Sequence, residues 1–136
     1  MAFPIQQQVI DFHNKFGHPV RDTLTPISEG EALQAYGFIE EELLELWEKG
    51  LFPAGPECGL ENCCSSAYTP NIIEIADALG DIVFTAYGMA VRYGIDLDRV
   101  LAEICASNMS KEANGLGKIR KGADYFPPNI KRALTI

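Results

Sequence analysis

Residues 70–93 read PNIIEIADALGDIVFTAYGMAVRY, and the two halves of this stretch have different characters. Thr69 with Pro70 at the first helical position is a start signal and Gly94 a stop. Ile72, Ile75, Leu79 and Val83 recur at helical spacing between them, so a helix is predicted from Pro70 to about Tyr93. The first half sets Glu74, Asp77 and Asp81 at spacings of three and four, within about 60° of arc and opposite the apolar positions. The second half, IVFTAYGMAV, is apolar on every side. A small bundle made by one chain does not cover such a segment all round, which predicts burial at a subunit interface.

Working outward, more helices flank this one. Upstream, Ser28 and Glu31 form a capping box, and Tyr36, Ile39, Leu43, Leu46 and Trp47 share a face up to Gly50, predicting helix from about Glu29 to Lys49. Ile5, Val9, Phe12 and Phe16 give a shorter amphipathic helix before Gly17, with a proline-containing loop at 17–27. Residues 51–69, with two prolines, two glycines and Cys58, Cys63 and Cys64, read as a long loop. Downstream, Asp96 is the N-cap of a fourth helix reaching roughly to Lys111, and the remainder reads as an irregular basic arm. No strand alternation persists and no repeat is evident. The expected fold is all-α, an antiparallel bundle of four main helices forming a single domain over residues 1–136.

Charge and composition narrow the function classes. At 136 residues, 47% hydrophobic and 22% charged, the chain has the make-up of a globular protein with a packed core. A net charge of −8 disfavours a nucleic-acid polymer as partner. The longest apolar run, Ile82 to Val91, is too short to span a bilayer, so no membrane is expected. The start of the chain shows no signal-peptide pattern, and reduced cysteines in a cytoplasm are the default; their spacing fits no common zinc pattern. The charge is also uneven: residues 111–136 carry +4 and residues 1–110 carry −12. A basic arm on an acidic body suits an anion that the body alone would repel.

The stretch IEEELLEL places Glu41, Glu42 and Glu45 within about 100° of arc on the helix of residues 29–49. Two acidic stripes therefore lie on two helices. Taken alone, acids on an outer helix face are commonly just solvated. If the stripes meet, each close carboxylate pair repels by about 4 kcal/mol at an effective dielectric of 20, which protonation or a divalent cation can offset. Carboxylate oxygens without histidine or thiol nearby select Mg²⁺ or Mn²⁺, and magnesium favours phosphate ligands.

These residues resemble the MazG-like branch of the all-α nucleoside triphosphate pyrophosphohydrolases, whose pattern is E-E-x-x-E on one helix and an acidic E-x-x-D motif on a later one. Glu41, Glu42 and Glu45 match the first motif without a gap. The likeness extends to FHNKFGHPVRDTLTP, ADALGDIVFTAYGMAVRYGIDLD, SNMSK and GKIRKGADYFPPNI, most of the chain apart from the loop between Leu51 and Ser66. One departure is that aligning LGD at residues 79–81 leaves Asp77, Ala78 and Asp81 in the acidic slots. Glu74 with Asp77 also satisfies E-x-x-D, one turn earlier; Asp77 and Asp81 are favoured as ligands, with Glu74 outside them.

The resemblance implies Mg²⁺-dependent hydrolysis (with Mn²⁺ as substitute) of a nucleoside triphosphate, ribo or deoxy, between the α and β phosphates. One of Glu41, Glu42 or Glu45 acts as base, and Glu41, Glu42, Glu45, Glu74, Asp77 and Asp81 supply the metal ligands. It also implies Asn108, Lys111, Lys121 and Tyr125 as substrate contacts. His13, with Phe12 and Phe16, is placed near a base pocket, although the phenylalanines are expected in the core; Trp47, on the apolar face of its helix, is expected to serve in packing. A homodimer, or a tetramer, in the cytoplasm of a bacterium or of a phage's host follows from the same likeness. Two other readings compete. One is phosphoribosyl-ATP pyrophosphohydrolase, against which FGHPV and YFPP are counted; the other is a helical nucleotide- or protein-binding module without turnover.

Overall fold

The computed structural model describes residues 4–53 and 68–135, and these are predominantly helical with one very small sheet, an all-α protein. The elements are α1 (Ile5–Phe16), α2 (Glu29–Glu45), a π-helical segment (Leu46–Leu51), α3 (Ile72–Tyr93), α4 (Leu97–Met109), β1 (Glu112–Ala113), β2 (Ile119–Arg120) and α5 (Ile130–Leu134). The chain divides into two compact units, residues 26–89 and residues 1–25 with 90–136. Cys58, Cys63, Cys64 and most of the expected 51–69 loop lie outside the described residues.

In the unit of residues 26–89, the Ser28 hydroxyl accepts the Glu31 amide at 3.2 Å and starts α2 as its capping box predicts. Regular α-helix ends at Glu45, four residues short of the expected boundary. The chain then widens into a π turn closed by the Phe52 amide on the Trp47 carbonyl at 2.9 Å. Gly50 within it lies so close to α3 that a Cβ would come 2.8 Å from Ile75 Cγ1, and its carbonyl accepts the Asn71 amide at 2.8 Å. Asn71 is also what starts α3, its Oδ1 accepting the Ile73 and Glu74 amides at 3.1 and 3.2 Å. The helix therefore begins two residues later than Thr69 and Pro70 suggest, because the asparagine side chain satisfies the orphan donors.

Ala35, Ala78 and Tyr87 are buried in this unit. The predicted apolar face of α2 is not closed by the described residues: Tyr36, Leu43 and Trp47 are each about half exposed. Trp47 stacks at 4.6 Å on Phe52, so it has the packing role expected of it while remaining half exposed.

In the other unit, Val9, Ala90, Val91 and Ala133 are buried. α1 ends at Gly17, whose φ of 72° takes the left-handed conformation that glycine tolerates. Gly94 ends α3 in the same conformation, and a Cβ there would lie 2.0 Å from the Thr23 carbonyl oxygen. Asp96 caps α4 through the Arg99 amide at 3.2 Å, as its position predicts. Phe12 and Phe16 stack on each other at 4.8 Å yet remain exposed, Phe16 more than half, so the expectation of core positions is corrected.

The C-terminal arm is more ordered than its composition suggests. Its two strands pair antiparallel, Glu112 opposite Arg120 and Ala113 opposite Ile119, with Asn114 Oδ1 accepting the Leu116 and Lys118 amides in the connecting loop. Beyond it, buried Ser107 donates to the Phe126 carbonyl at 2.8 Å, and Ser110 Oγ accepts the Phe126 amide at 3.1 Å. Glu103 accepts the Asn129 amide and the Arg132 Nε, which fixes α5 against α4. Side-chain ties of this kind leave no periodic trace in the sequence, which is why the arm reads as irregular.

Candidate functional site

The acidic site is built in the unit of residues 26–89 from α2 and the first half of α3. Glu42, Glu45, Glu74 and Asp81 are half-buried, while Glu41 and Asp77 are exposed. Glu42 Oε2 is sealed from solvent and has no hydrogen-bond partner. Burial pushes the Glu42 carboxyl above the usual carboxylate range, and the charges of Asp81, Glu45, Asp77 and Glu41 push it further, in that order. The two stripes therefore reach one another electrostatically, with Asp81 the strongest partner from α3.

Glu74 is not among the charges that act on Glu42, and one cation lies within the acidic face. Lys49, in the π turn, donates to Glu45 Oε1 at 2.9 Å; this bond and the Glu45 charge hold its ammonium above the usual lysine range, with smaller help from Glu74 and Glu42. Sequence reasoning missed Lys49. The signal for it was present, a lysine four residues after a glutamate of the motif.

As the side chains stand, no three among the described His, Cys, Asp and Glu residues converge closely enough to hold a metal ion. Their chemistry nevertheless suits a hard cation: the donors are carboxylates, and one buried oxygen is unsatisfied. Glu41, Glu42, Glu45, Asp77 and Asp81 are the residues whose side chains ligation would draw together.

The expected substrate contacts lie in the other unit. Asn108, Lys111, Ile119, Arg120 and Lys121 line an open cavity of about 500 Å³. Lys111 Nζ donates to Asn108 Oδ1 at 3.0 Å, and Lys121 Nζ sits 5.0 Å from the Tyr125 ring centroid, a cation–π contact. Arg120 lines the same cavity and is held by Glu112.

His13 is only 4% exposed, and its Nδ1 pairs with the Pro19 carbonyl at 2.8 Å. Burial pushes its pKa down, opposed by that hydrogen bond and assisted by the charges of Arg92 and His18. Arg92, also buried, donates to His18 Nδ1 at 3.3 Å. These contacts give His13 a structural duty, tying α1 to the loop that follows it.

No curated protein matches the chain. A family model does: that of phosphoribosyl-ATP pyrophosphohydrolase, over residues 9–108. The matched span takes in α1 to α4 almost whole and both acidic motifs. FGHPV, counted above against this family, lies inside the span, and YFPP lies beyond it. The match bears out the MazG-like resemblance at the level of the superfamily, and the reading as a module without turnover is set aside. With a match that covers most of its length, the chain belongs to the phosphoribosyl-ATP pyrophosphohydrolase family, within the MazG-like all-α nucleoside triphosphate pyrophosphatase superfamily, and is a hydrolase of nucleotide phosphoric anhydride bonds.

Proposed function

We propose that the protein hydrolyses a nucleoside triphosphate, ribo or deoxy, between the α and β phosphates, releasing the monophosphate and pyrophosphate. The observation that carries this reading is the buried, unpartnered Glu42 Oε2 among the charges of Asp81, Glu45, Asp77 and Glu41. Such a group is stable as a carboxylate only beside a cation, and the substrate of this family is itself a polyanion that needs one. Mg²⁺, when bound, would neutralise the triphosphate and acidify or orient a water. Glu41, Glu42, Glu45, Asp77 and Asp81 would hold it, with Glu74 outside them.

The chain's own part in the chemistry is then proton and charge handling. A glutamate of the first motif accepts the proton of the attacking water, and Glu42 is the best placed because its raised proton affinity makes it a stronger base than an exposed carboxylate. Lys49 holds Glu45 in one orientation. Lys111 and Lys121 supply point charges for phosphate oxygens, Asn108 a donor and an acceptor for base or sugar, and Tyr125 a ring face.

A second reading is phosphoribosyl-ATP as substrate, favoured by the family model itself. It uses the same α–β cleavage. We further propose a homodimer, whose interface would cover the exposed Tyr36, Leu43 and Val83, and a cytoplasmic location; no described helix is long and apolar enough to cross a membrane. The test is a panel of common NTPs and dNTPs with phosphoribosyl-ATP, each with and without Mg²⁺, read by release of pyrophosphate and of the monophosphate. Cleavage of a panel triphosphate that requires the ion supports the first reading. Exclusive turnover of phosphoribosyl-ATP selects the second, and release of orthophosphate in place of pyrophosphate overturns both.

A further inference from the structure

The cavity between the end of α4 and β2 carries an unusual charge for this chain. Lys111, Arg120 and Lys121 all line it, in a protein of net charge −8. Among the described residues neither lysine has a carboxylate partner: Lys111 is bound to the neutral Asn108 amide and Lys121 to the Tyr125 ring. Arg120 is different. Glu112, directly opposite it in the β1–β2 ladder, accepts both its Nε and its Nη2 on a single oxygen, Oε1, at 2.9 and 2.8 Å.

That arrangement engages one edge of the guanidinium and leaves Nη1 and the second Nη2 hydrogen for another acceptor. An arginine side chain carries about 2 kcal/mol of rotamer entropy, so a fork already fixed in direction loses less when an anion arrives. The backbone makes room for the device. A Cβ at Gly122 would fall 2.1 Å from Glu112 Cδ and 2.3 Å from its Oε2, so only glycine at 122 lets the carboxylate sit where it does.

The geometry points to Glu112 as a positioning residue: it presets Arg120 so that Arg120, with Lys111 and Lys121, receives a polyphosphate group in this cavity without help from a metal ion. The choice of anion rests on the pyrophosphohydrolase reading above, while the positioning claim is separable from it. Simple electrostatics makes the opposite forecast, since a nearby carboxylate should repel phosphate and its removal should tighten binding. The sign of the effect therefore decides.

The experiment is titration of inorganic pyrophosphate into the full chain in EDTA, by calorimetry, for wild type, Glu112→Ala, Glu112→Gln and Gly122→Ala, with the melting temperature of each as a folding control. The expected result is that Glu112→Ala weakens pyrophosphate binding by about 5- to 20-fold, as loss of a charge-assisted bond predicts. Glu112→Gln, which keeps an oxygen for the fork, should recover most of it. Gly122→Ala, which leaves every charge in place and displaces the carboxylate, should weaken binding as Glu112→Ala does. In turnover the same variants should raise KM and leave kcat nearly unchanged. Equal or tighter binding by Glu112→Ala, or no metal-free binding by wild type, overturns the inference without touching the hydrolase reading. Absence of triphosphate cleavage by a wild type that binds pyrophosphate in EDTA overturns that reading and leaves the inference standing.

Discussion

The acidic face of α2 and α3 and the basic C-terminal arm treat charge in opposite ways. In the arm, Glu103 holds Arg132 and Glu112 holds Arg120, so the polar groups that fix the fold are paired within the chain. On the acidic face burial and the charges of Asp81, Glu45, Asp77 and Glu41 raise the cost of ionising Glu42, and one buried Glu42 oxygen has no hydrogen-bond partner. Lys49 relieves only part of this. A region whose charges are internally matched holds a shape, whereas one whose charges are left mismatched stores a demand for an outside partner. The lysines of the cavity, Lys111 and Lys121, share that second property with the opposite sign.

The sharpest way to break this contrast is at Glu42. Glu42→Gln removes a base and a charge but little volume, so kcat/KM is expected to fall by about 10²–10⁴-fold in steady-state pyrophosphate release. In the metal-free protein the same change should raise the melting temperature at neutral pH by a few degrees, on the order expected when an unsatisfied buried charge is removed. Next in size is a purely architectural change in the other unit. Gly94→Ala meets both a left-handed φ of 73° and the Thr23 carbonyl, and should cost about 3 kcal/mol or more in denaturant unfolding.

Smaller effects sharpen the comparison. Lys121→Ala removes one of the cavity's cations, and KM for the triphosphate should rise by about 10-fold with kcat within a few-fold of wild type. The same change on the acidic side, Lys49→Ala, should instead lower the melting temperature of the metal-free protein at low salt, since it removes the partner of Glu45.

The pH dependence separates the regions as well. The Glu42 carboxyl is raised in the fold, so its folded form binds more protons than the unfolded chain; its contribution to stability is present at low pH and is lost as pH rises through the raised value. His13 is lowered, so the neutral buried imidazole costs stability as pH falls below its ordinary value of 6.5. In EDTA the two effects run against each other between pH 4.5 and 6.5, the Glu42 loss growing as pH rises from 4.5 and the His13 loss growing as pH falls from 6.5. Glu42→Gln should remove the loss that accompanies rising pH and leave the loss that accompanies falling pH, read by melting temperature against pH.

The sequence shows local signals well and long-range ones poorly. Ser28, Gly17, Gly94 and Asp96 each act on their own helix end within a few residues, and each boundary is legible. The start of α3 is misread because Thr69 and Asn71, two residues apart, are both eligible caps, and only the folded chain selects Asn71. The π turn leaves no periodic signal in the sequence, and the close approach of Gly50 within it to Ile75 joins residues twenty-five apart. The two acidic stripes were legible from helical spacing. That Asp81 is the strongest α3 neighbour of Glu42 and Glu74 the one beside Lys49 depends on how two helices turn toward each other, which periodicity within either helix does not encode.

The central claim is that carboxylates of α2 and α3 share one divalent cation, and metal binding tests it without any substrate. Calorimetric titration of Mn²⁺ into the EDTA-stripped, dialysed protein should give saturable binding for wild type, weakened at least 10-fold by Glu42→Gln on α2 and equally by Asp81→Asn on α3, because each removes a charge from the same ion. Binding that is unchanged by either substitution would contradict the claim.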